Sequence, residues 1–548
     1  MIHKHKNILF LSLAIACMSC SAQPTSPEIF AEGAPIHGAN GLYFDALDHL
    51  YVASGFGKEI IVMEPNTGSV IERLGKSDGV ETPDDVVIGP DGSLYWTETF
   101  SGKIGKRSPD GSITFQNVAP GVNPITFSPD GRLFTALKFL GDALYELDPE
   151  LKLPPRLVIK DPGSLNGFDF GPDGYLYCPS EKLTGVVRID VDSGEIVQIA
   201  EGFQTNAVKF DSKGRLHILK NIADDPFHGE VVIFNPDAKT FETVTSSLAY
   251  GLDNLAFDSQ GRLFVSNLAD GSISEVLPDG SIRIVSAGGM ITPGGIAVLP
   301  KSNGCESLFV ADLWSLREFN AKTGELQEVS LFPSRPDSLT IPMAVSPDTK
   351  GLLISSLFGA TVQVWDPWNH KVLESYSDFS TPLAAVRVDG DIVVAEYGSI
   401  SRIENGVKKV IANQDNGVSN PGGLAASDAD LWATEWASGK VLQIIKQGKN
   451  LTAPLVVASD LLKPEGIAVD KDGSLLVLET GADRLLRIRP GNGNISVVVD
   501  NLDLDAAGSK GIMPMSVAVD SSGQIFISNP SKGIIYHAVP KAWGRAGS

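Results

Sequence analysis

The chain has 548 residues, of which 20% are charged and 43% are hydrophobic, and its formal net charge is -22 at pH 7. This length exceeds what one compact core holds, so several domains or an array of repeats are expected. The negative charge disfavours nucleic acid as a partner, because a polyanion requires a basic surface on the protein.

The first 22 residues predict an export signal. A cationic start, MIHKHKN, precedes a short apolar run, ILFLSLAIA, and small residues follow. Cleavage before Cys17 would leave a lipid-anchored protein, and cleavage after Ala22 would leave a protein without an anchor. Because the apolar run is too short to span a bilayer, membrane attachment is expected only through such an anchor. We therefore expect an exported protein that is periplasmic, anchored to the outer membrane as a lipoprotein, or secreted.

Twelve similar units follow along the chain. Each has an apolar run, a tight turn such as PDG, an aromatic or apolar run and a further extended run, a pattern typical of antiparallel strands. Their spacing of 39 to 50 residues is the period of a propeller blade. The units begin at Asn40, Asp84, Asn123, Asn166, Asn206, Asp253, Gly294, Ile341, Pro382, Gly422, Glu465 and Met515.

The predicted fold is all-β, with two tandem six-bladed β-propellers and twelve four-stranded blades, because single rings usually close at four to eight blades. We predict the first propeller at residues 23–280 and the second at residues 281–541. In this prediction the segment EIFAEGA near the N-terminus pairs with the sixth unit. The segment SIRIVSAG at Ser281 is then free to close the second ring on the twelfth unit.

The first residue of each unit is expected at the mouth of the central channel, where the inner strand begins. In the first ring all six of these residues are Asn or Asp, whereas in the second ring only Glu465 carries a side chain that could bind a cation. A general need to cap the turn would have placed Asn or Asp in both rings. The difference therefore points to a function of the first channel.

Six short oxygen donors, two of them carboxylates, are typical of a site for Ca2+ or another hard divalent cation. Zinc and copper are disfavoured, because His and Cys are missing from these positions. The alternative is structural: the amide groups hydrogen-bond one another and the neighbouring backbone around a water-filled funnel.

The stretches DDVVIGPDG, NGFDFGPDG, NAVKF and DNLAF resemble the six-bladed calcium propellers that include gluconolactonase and senescence marker protein 30, the paraoxonases and the diisopropyl fluorophosphatases. The resemblance implies that Asp84, Asn166, Asn206 and Asp253 hold a catalytic Ca2+. It also implies a role for Asn254, since the tandem DN is similar to a paraoxonase pair that contacts the metal. The family places Glu at the first of these positions and on the first blade, whereas here Asp84 lies on the second unit.

The first ring allows a second choice of ligands, and its units have a further resemblance that is less specific. A second register within the first ring would use Asn40, Asn123, Asn166 and Asn206, but it contains no carboxylate, and we disfavour it on charge. Units such as GPDGSLYWTETFSGKIGKRSPDGSI also resemble virginiamycin B lyase, a seven-bladed propeller, and repeats of the NHL type.

The resemblance implies that the bound cation polarises the carbonyl group of a small-molecule lactone or ester, and that Asp253 acts as general base or nucleophile. The loops after the second strands should line the substrate pocket, where Glu98 and Lys220 are our candidates for function. His37 is a rival base near the channel mouth. We also predict that Asn40, Asn123 and Asn254 contact the substrate.

The second ring offers a different pattern. The ends of its second strands carry acidic or amide residues beside aromatic ones, namely Asp312, Glu396, Glu435, Glu479 and Asn529 with Trp314, Tyr397 and Trp436. Such a funnel could hold a carbohydrate or a cation, and ordinary propeller loops have the same composition.

Three functions are therefore compatible with the sequence. The first is an exported, calcium-dependent hydrolase of lactones or esters, expected to be a monomer. The second is a non-catalytic binding platform in which Ca2+ makes the first ring rigid. The third is a metal-dependent lyase that uses Glu98 or His228.

Overall fold

The computed structural model describes residues 24–223, 227–331, 339–504 and 513–539. In these ranges the chain forms twelve four-stranded antiparallel sheets. The predicted all-β architecture of twelve blades is confirmed. The predicted export signal at residues 1–22 lies outside the described residues.

Blades 1 to 6 form the first ring, and in each blade the strands follow chain order from the channel outward. Blade 1 contains β2 (Ala39–Phe44), β3 (Leu50–Ser54), β4 (Glu59–Glu64) and β5 (Ser69–Leu74). Blade 2 contains β6 (Pro83–Ile88), β7 (Leu94–Glu98), β8 (Lys103–Arg107) and β9 (Ile113–Asn117). Blade 3 contains β10 (Val122–Phe127), β11 (Leu133–Leu137), β12 (Ala143–Leu147) and β13 (Arg156–Lys160). Blade 4 contains β14 (Asp169–Phe170), β15 (Leu176–Ser180), β16 (Gly185–Ile189) and β17 (Ile196–Glu201). Blade 5 contains β18 (Thr205–Phe210), β19 (Leu216–Ile222), β20 (His228–Asn235) and β21 (Thr240–Leu248). Blade 6 contains β22 (Leu252–Phe257), β23 (Leu263–Asn267), β24 (Ile273–Val276) and β25 (Ile282–Ser286).

Blades 7 to 12 form the second ring. Blade 7 contains β26 (Ile296–Pro300), β27 (Glu306–Asp312), β28 (Ser315–Asn320) and β29 (Leu326–Leu331). Blade 8 contains β30 (Ala344–Asp348), β31 (Gly351–Ser356), β32 (Thr361–Asp366) and β33 (Lys371–Tyr376). Blade 9 contains β34 (Pro382–Val388), β35 (Asp391–Glu396), β36 (Ser399–Glu404) and β37 (Val407–Asn413). Blade 10 contains β38 (Pro421–Ser427), β39 (Asp430–Glu435), β40 (Lys440–Lys446) and β41 (Lys449–Ala458). Blade 11 contains β42 (Pro464–Val469), β43 (Leu475–Glu479), β44 (Arg484–Ile488) and β45 (Ile495–Val499). Blade 12 contains β46 (Val517–Val519), β47 (Ile525–Asn529) and β48 (Ile534–Ala538), and β1 (Glu28–Ala31) is its outermost strand.

The hydrophobic core lies between neighbouring blades, because each blade buries both faces of its sheet. In each ring six clusters of buried apolar residues join successive blades, and the last cluster joins the sixth blade back to the first. Leu42 of blade 1 packs in one cluster with Phe264 of blade 6, and Ile296 of blade 7 packs with Phe526 of blade 12. Two closed rings of six blades follow from this packing.

The predicted pairing of the closing strands is wrong. The N-terminal strand β1 pairs with β48 of the twelfth blade. Strand β25, which lies within the SIRIVSAG segment, pairs with β24 of its own blade. The side chain of Phe30 accounts for the position of β1, since its ring contacts Phe526 edge to face with centroids 4.9 Å apart. The strand at residues 28–31 thus belongs to the second ring and the strand at residues 282–286 to the first.

The inner strands of the first ring are bulged where they begin. The strand register shifts between Pro83 and Val86 in blade 2 and between Leu252 and Leu255 in blade 6. A bulge interrupts the alternation of side chains between the two faces of a sheet. Consecutive side chains at these positions can therefore both approach the channel.

The two rings contact each other through the loops of blade 1. Phe56, between β3 and β4, packs into a cluster with Leu313, Met343 and Met513 of the second ring, and the Ala34 N–H donates to Met290 O at 2.7 Å.

Within the described ranges no helix has the length and apolar character needed to cross a membrane.

Candidate cation site in the first ring

Six inner strands place their first Asn or Asp around the mouth of the first channel, as their equivalent positions in a closed ring require. Five of these residues lie at a register shift in the pairing of their strand. The set is Asn40 in β2, Asp84 in β6, Asn123 in β10, Asn166 before β14, Asn206 in β18 and Asp253 in β22.

The carboxylate of Asp84 is held by two neighbours. The Thr99 hydroxyl donates to Asp84 Oδ2 at 2.9 Å, and the Asn40 side chain lies close enough to stabilise the ionised carboxylate. Burial raises the pKa of Asp84, while the Thr99 hydrogen bond and the positive charge of Lys138 oppose the rise. Asn40 therefore orients an acidic group of the site, and this role is compatible with its predicted contact to a substrate.

Asp253 is the most perturbed carboxyl group of the channel. Burial, followed by the negative charge of Asp84, raises the pKa of Asp253 to about 8, and Lys138 opposes this rise. No described residue donates a hydrogen bond to its carboxylate. A carboxylate without a donor beside a second carboxylate requires a proton or a cation to balance its charge.

Asn206 turns its amide nitrogen toward the protein. Its Nδ2 donates to Leu252 O at 2.8 Å, and the neighbouring Asn221 donates to the same oxygen at 2.8 Å while its own Oδ1 accepts the N–H groups of Gly251 and Leu252. With the nitrogen engaged, the amide oxygen of Asn206 is the atom left to act as a ligand. Asn221 also fixes the start of the strand that carries Asp253.

Lys138 brings a positive charge to the same site. It follows the last residue of β11, and its side chain is buried. Burial lowers the pKa of Lys138, and the negative charges of Asp253, Glu181 and Asp84 oppose this effect. The amino group thus neutralises part of the acidic charge and competes with any metal ion for it.

A second layer of charge lies further along the same channel. The Asp85 carboxylate accepts hydrogen bonds from Asn254 Nδ2 at 3.2 Å and from Ile125 N at 3.3 Å. Burial, followed by the charge of Asp84, raises the pKa of Asp85 to about 7. Lys209 is 3.5 Å from Asp169. Burial lowers the pKa of Lys209, but Asp169, Tyr43 and Asp85 together outweigh burial, so this pKa is raised.

The balance of charge in the channel fits a divalent cation. The channel holds the carboxyl groups of Asp84, Asp85, Asp169 and Asp253 and the amino groups of Lys138 and Lys209. Two negative charges are left without a positive partner when all six groups are ionised. Hard oxygen ligands with such an excess of charge are suited to Ca2+.

The amide oxygens are essential to this fit. In the described part of the chain, no group of three or more His, Cys, Asp and Glu side chains is arranged to hold a metal ion. A cation in the first channel would therefore need Asn166 and Asn206 in addition to Asp84 and Asp253. Asn206 lies in β18 and Asn166 precedes β14, so each stands near the start of an inner strand.

The carboxylate of Glu98, predicted to be catalytic, braces a loop. Glu98 is buried and accepts hydrogen bonds from Glu81 N at 2.9 Å, Thr82 N at 2.5 Å and Trp96 Nε1 at 2.8 Å. Its partners are the residues that lead into β6, so the side chain fixes the entry of the inner strand.

Acidic residues in the second ring have the same structural role. Asp312 accepts from Ile291 N and Thr292 N at 3.0 and 2.7 Å, and Glu435 accepts from Asn420 N at 2.6 Å. Glu396 and Glu479 accept backbone N–H groups in their own blades at 2.9 and 2.7 Å. The predicted acidic funnel of the second ring is thus a set of carboxylates engaged in loop hydrogen bonds.

Lys220 is not a residue of the channel wall, contrary to the prediction. Its ammonium group lies 3.4 Å from Glu230 and over the rings of Phe203 and Phe241 at 5.3 and 5.5 Å. Phe241 belongs to β21, the outermost strand of the blade. The side chain therefore points away from the channel.

His37 lies at the junction of the two rings. The imidazole of His37 lies against Gly533 of blade 12, since a Cβ atom added to this glycine would be 2.5 Å from His37 Nε2. A second neighbour, Asp312, belongs to blade 7. Burial lowers the pKa of His37, with Asp312 opposing this effect. The imidazole thus faces the second ring, and the prediction of a rival base at the first channel is wrong.

Two features explain which residues the sequence predictions missed. Thr99 follows the predicted candidate Glu98 by one residue, and Asn221 follows the candidate Lys220. Successive side chains in a strand point to opposite faces, so Thr99 and Asn221 face the site while the predicted residues do not. Asp85 reaches the channel through the bulge that also exposes Asp84. The tandem acids DD in β6 were the sequence signal for Asp85.

An apolar cluster of the second ring surrounds Phe56 near the mouth of the second channel. Ile341, Trp314 and Leu357 join Met343 and Met513 around the Phe56 ring of the first ring. Part of this mouth is thus packed against the neighbouring ring, and Glu465, the polar first position of the second ring, is buried and accepts a hydrogen bond from Met515 N at 3.1 Å.

Comparisons with known proteins return solved structures alone. No family model matches the chain, and no curated protein matches it. Virginiamycin B lyase from Staphylococcus aureus is similar at 14% identity and a TM-score of 0.36, over 50% of this chain and 92% of the lyase. A gluconolactonase from Xanthomonas campestris is similar at 15% identity and a TM-score of 0.36, over 45% of this chain and 95% of that protein.

Other similar structures extend over both rings. The extracellular domain of a one-component system from B. thetaiotaomicron is 12% identical with a TM-score of 0.32, over 94% of this chain and 82% of that domain. At such low identities and scores, the arguments about fold and site rest on the strands and side chains of this chain itself.

Proposed function

We propose that the first ring binds a hard divalent cation, Ca2+ in the first place, and hydrolyses a small-molecule lactone or ester at its channel mouth. The observation that carries the cation is the Asp253 carboxyl group, which lies beside Asp84 without a hydrogen-bond donor among the described residues and with its pKa raised to about 8. The class of reaction is supported by the resemblance of the first ring to the calcium propellers.

In this proposal Asp84, Asp253, Asn166 and Asn206 hold the cation. When bound, the cation supplies a Lewis acid that polarises the substrate carbonyl group and stabilises the negative charge that develops on its oxygen. Asn40 and Thr99 hold the Asp84 carboxylate in place. Asp253 would accept the proton of the attacking water through the carboxylate oxygen that does not hold the cation.

Export, the choice between a lipid anchor and a free protein, and a monomeric state belong to the same proposal. The support for export is the cationic and apolar pattern of the first 22 residues. The net charge of -22 supports a small-molecule partner over nucleic acid.

A panel of aryl esters and lactones, assayed with and without a chelator, tests the proposal. Wild-type protein should turn over at least one substrate, and the chelator should abolish this activity. D253N should lose it while remaining folded, whereas the control D279N, which removes an exposed turn carboxylate, should keep it. Activity that persists in chelator would contradict the cation mechanism.

The second candidate function is a binding platform without turnover. Large apolar side chains at equivalent loop positions are unusually exposed, with Phe100 at 56%, Phe139 at 71%, Phe358 at 57% and Tyr397 at 56%. Such loops suit a partner surface. A protein that binds Ca2+ and shows no turnover across the panel would favour this function over the hydrolase.

A further inference from the structure

The inference concerns Asp85 and Asn254 and rests on the proposed function. Both residues directly follow an acid of the candidate site, Asp84 in blade 2 and Asp253 in blade 6. The position after the first Asn or Asp is occupied in the other four blades by Gly41, Pro124, Gly167 and Ala207. The two acidic blades are thus the two in which this second position carries a polar side chain.

The two side chains meet although their blades are not neighbours. Asn254 Nδ2 donates to Asp85 Oδ1 at 3.2 Å, between residues 169 positions apart in the chain. Blade 1 lies between blades 2 and 6, and its inner strand has Gly41 at the crossing. A Cβ atom at Gly41 would overlap Asp85 Oδ1 and lie 2.6 Å from Asp85 Cα, so the missing side chain makes the contact possible.

Each end of this bridge is fixed within its own blade in the same way. The Asp85 N–H donates to Thr97 Oγ1 at 2.9 Å and Asp85 Oδ1 accepts from Val86 N at 3.1 Å. The Asn254 N–H donates to Ser266 Oγ at 3.0 Å and Asn254 Oδ1 accepts from Leu255 N at 2.9 Å. Little freedom remains for either side chain to shift along the channel.

Asp85 also ties in a third blade. Its Oδ2 accepts the N–H of Ile125 in β10 at 3.3 Å. One carboxylate therefore links the inner strands of blades 2, 3 and 6 and fills the space beside blade 1. Asp85 itself is buried.

We infer that Asp85 is a positioning residue: its bridge to Asn254 sets the separation of Asp84 and Asp253, and thereby the affinity of the site for a divalent cation. Asn254 is the partner in this bridge, which differs from the direct metal contact that the sequence resemblance implies. Residues that orient the ligands of a metal commonly affect its affinity by about 10- to 100-fold.

Calorimetric titration of Ca2+ into the full chain tests the inference with five proteins: wild type, D85A, N254A, the swap D85N/N254D, and D169N as a control. D169N removes another channel carboxylate, one that pairs with Lys209. We expect D85A and N254A to bind Ca2+ about tenfold or more weakly than wild type, and the swap to recover most of the loss because it rebuilds an amide-to-carboxylate bond. D169N should change the affinity less than D85A does.

Three outcomes would overturn the inference. Wild-type affinity in D85A and N254A would show that the bridge does not set the site, and a swap as weak as the alanine variants would show that the bond itself is not the cause. Both leave the proposed function intact. Absence of Ca2+ binding by the wild type would remove the proposed function and the role of Asp85 with it. Circular dichroism of each variant establishes that it is folded before titration.

Discussion

Thr99 Oγ1 donates a hydrogen bond of 2.9 Å to Asp84 Oδ2 and also lies 3.0 Å from the carbonyl oxygen of Val122 in the next blade. The hydroxyl group thus links the candidate cation site to the blade that carries Asn123. Since this donor stabilises the ionised form of Asp84, Thr99 belongs to the site although it is not itself a ligand.

The substitution T99V should weaken Ca2+ binding with little change in shape. Valine has the same branching but lacks the donor, so the pKa of Asp84 should rise further and its charged form should be less available. We expect about tenfold weaker binding, the worth of one hydrogen bond to a charged group. The matched control is T114V on the exposed face of β9; equal affinities in T99V and wild type would count against this role.

The substitution K138M should tighten Ca2+ binding. The Lys138 amino group shares the negative charges of Asp253 and Asp84 with any bound cation, and methionine keeps the buried stem while removing the charge. We expect an affinity at least about tenfold higher, together with lower stability of the metal-free protein. Calorimetry on K138M and on the exposed control K182M provides the comparison, and a weaker affinity in K138M would show that Lys138 supports the cation instead of competing with it.

The substitution E98A should destabilise the fold and leave the cation site intact. Removing the carboxylate leaves the N–H groups of Glu81 and Thr82 and the indole of Trp96 without their acceptor. We expect the free energy of unfolding to fall by about 2–4 kcal/mol, measured by urea denaturation, with a smaller loss in E98Q. Turnover lost in a fully stable E98Q would restore Glu98 as a catalytic candidate.

The stability of the metal-free protein should fall as the pH rises from about 4 to about 8. Asp253 has a pKa of 3.8 as a free side chain and about 8 in the folded channel, so the folded state holds a proton that the unfolded state has lost across this window. The unfolding free energy decreases by up to about 1.4 kcal/mol per pH unit for each such proton. This stabilising contribution of the Asp253 proton is fully present below pH 3.8 and is lost above about pH 8.

The difference between wild type and D253N isolates this effect. Chemical denaturation in chelator at several pH values should give a steeper decline for wild type than for D253N, because the amide does not titrate. Ca2+ should flatten the wild-type profile by replacing the proton. Parallel profiles of the two proteins in chelator would contradict the raised pKa of Asp253.

The sequence was sufficient to predict the number of blades and the two rings, because strand patterns and turns repeat with a constant period. It did not predict which blade β1 completes, since the outer strands EIFAEG and GSIRIVSAG have the same apolar pattern. The contact of Phe30 with Phe526 decides the pairing, and that contact joins residues at opposite ends of the chain.

The sequence predicts the candidate ligands of the site but not the residues that support them. The repeated first position of each unit identified Asp84, Asn166, Asn206 and Asp253 as a convergent set. The residues that support them depend on strand register: an offset of one residue exchanges Glu98 for Thr99 and Lys220 for Asn221. Asp85 depends on a local bulge, and a sequence pattern based on alternating faces does not specify one.

Calorimetric titration of Ca2+ into chelator-treated protein tests the central claim most directly, with wild type compared to the double variant D84N/D253N. The double variant keeps the volume and the amide oxygens of the site and removes both negative charges, so it should fold at least as stably as the metal-free wild type. We predict that wild type binds Ca2+ at one site in the first ring and that the double variant does not bind it. Equal binding by the two proteins, or no binding by the wild type, would contradict a cation site built on these two carboxylates.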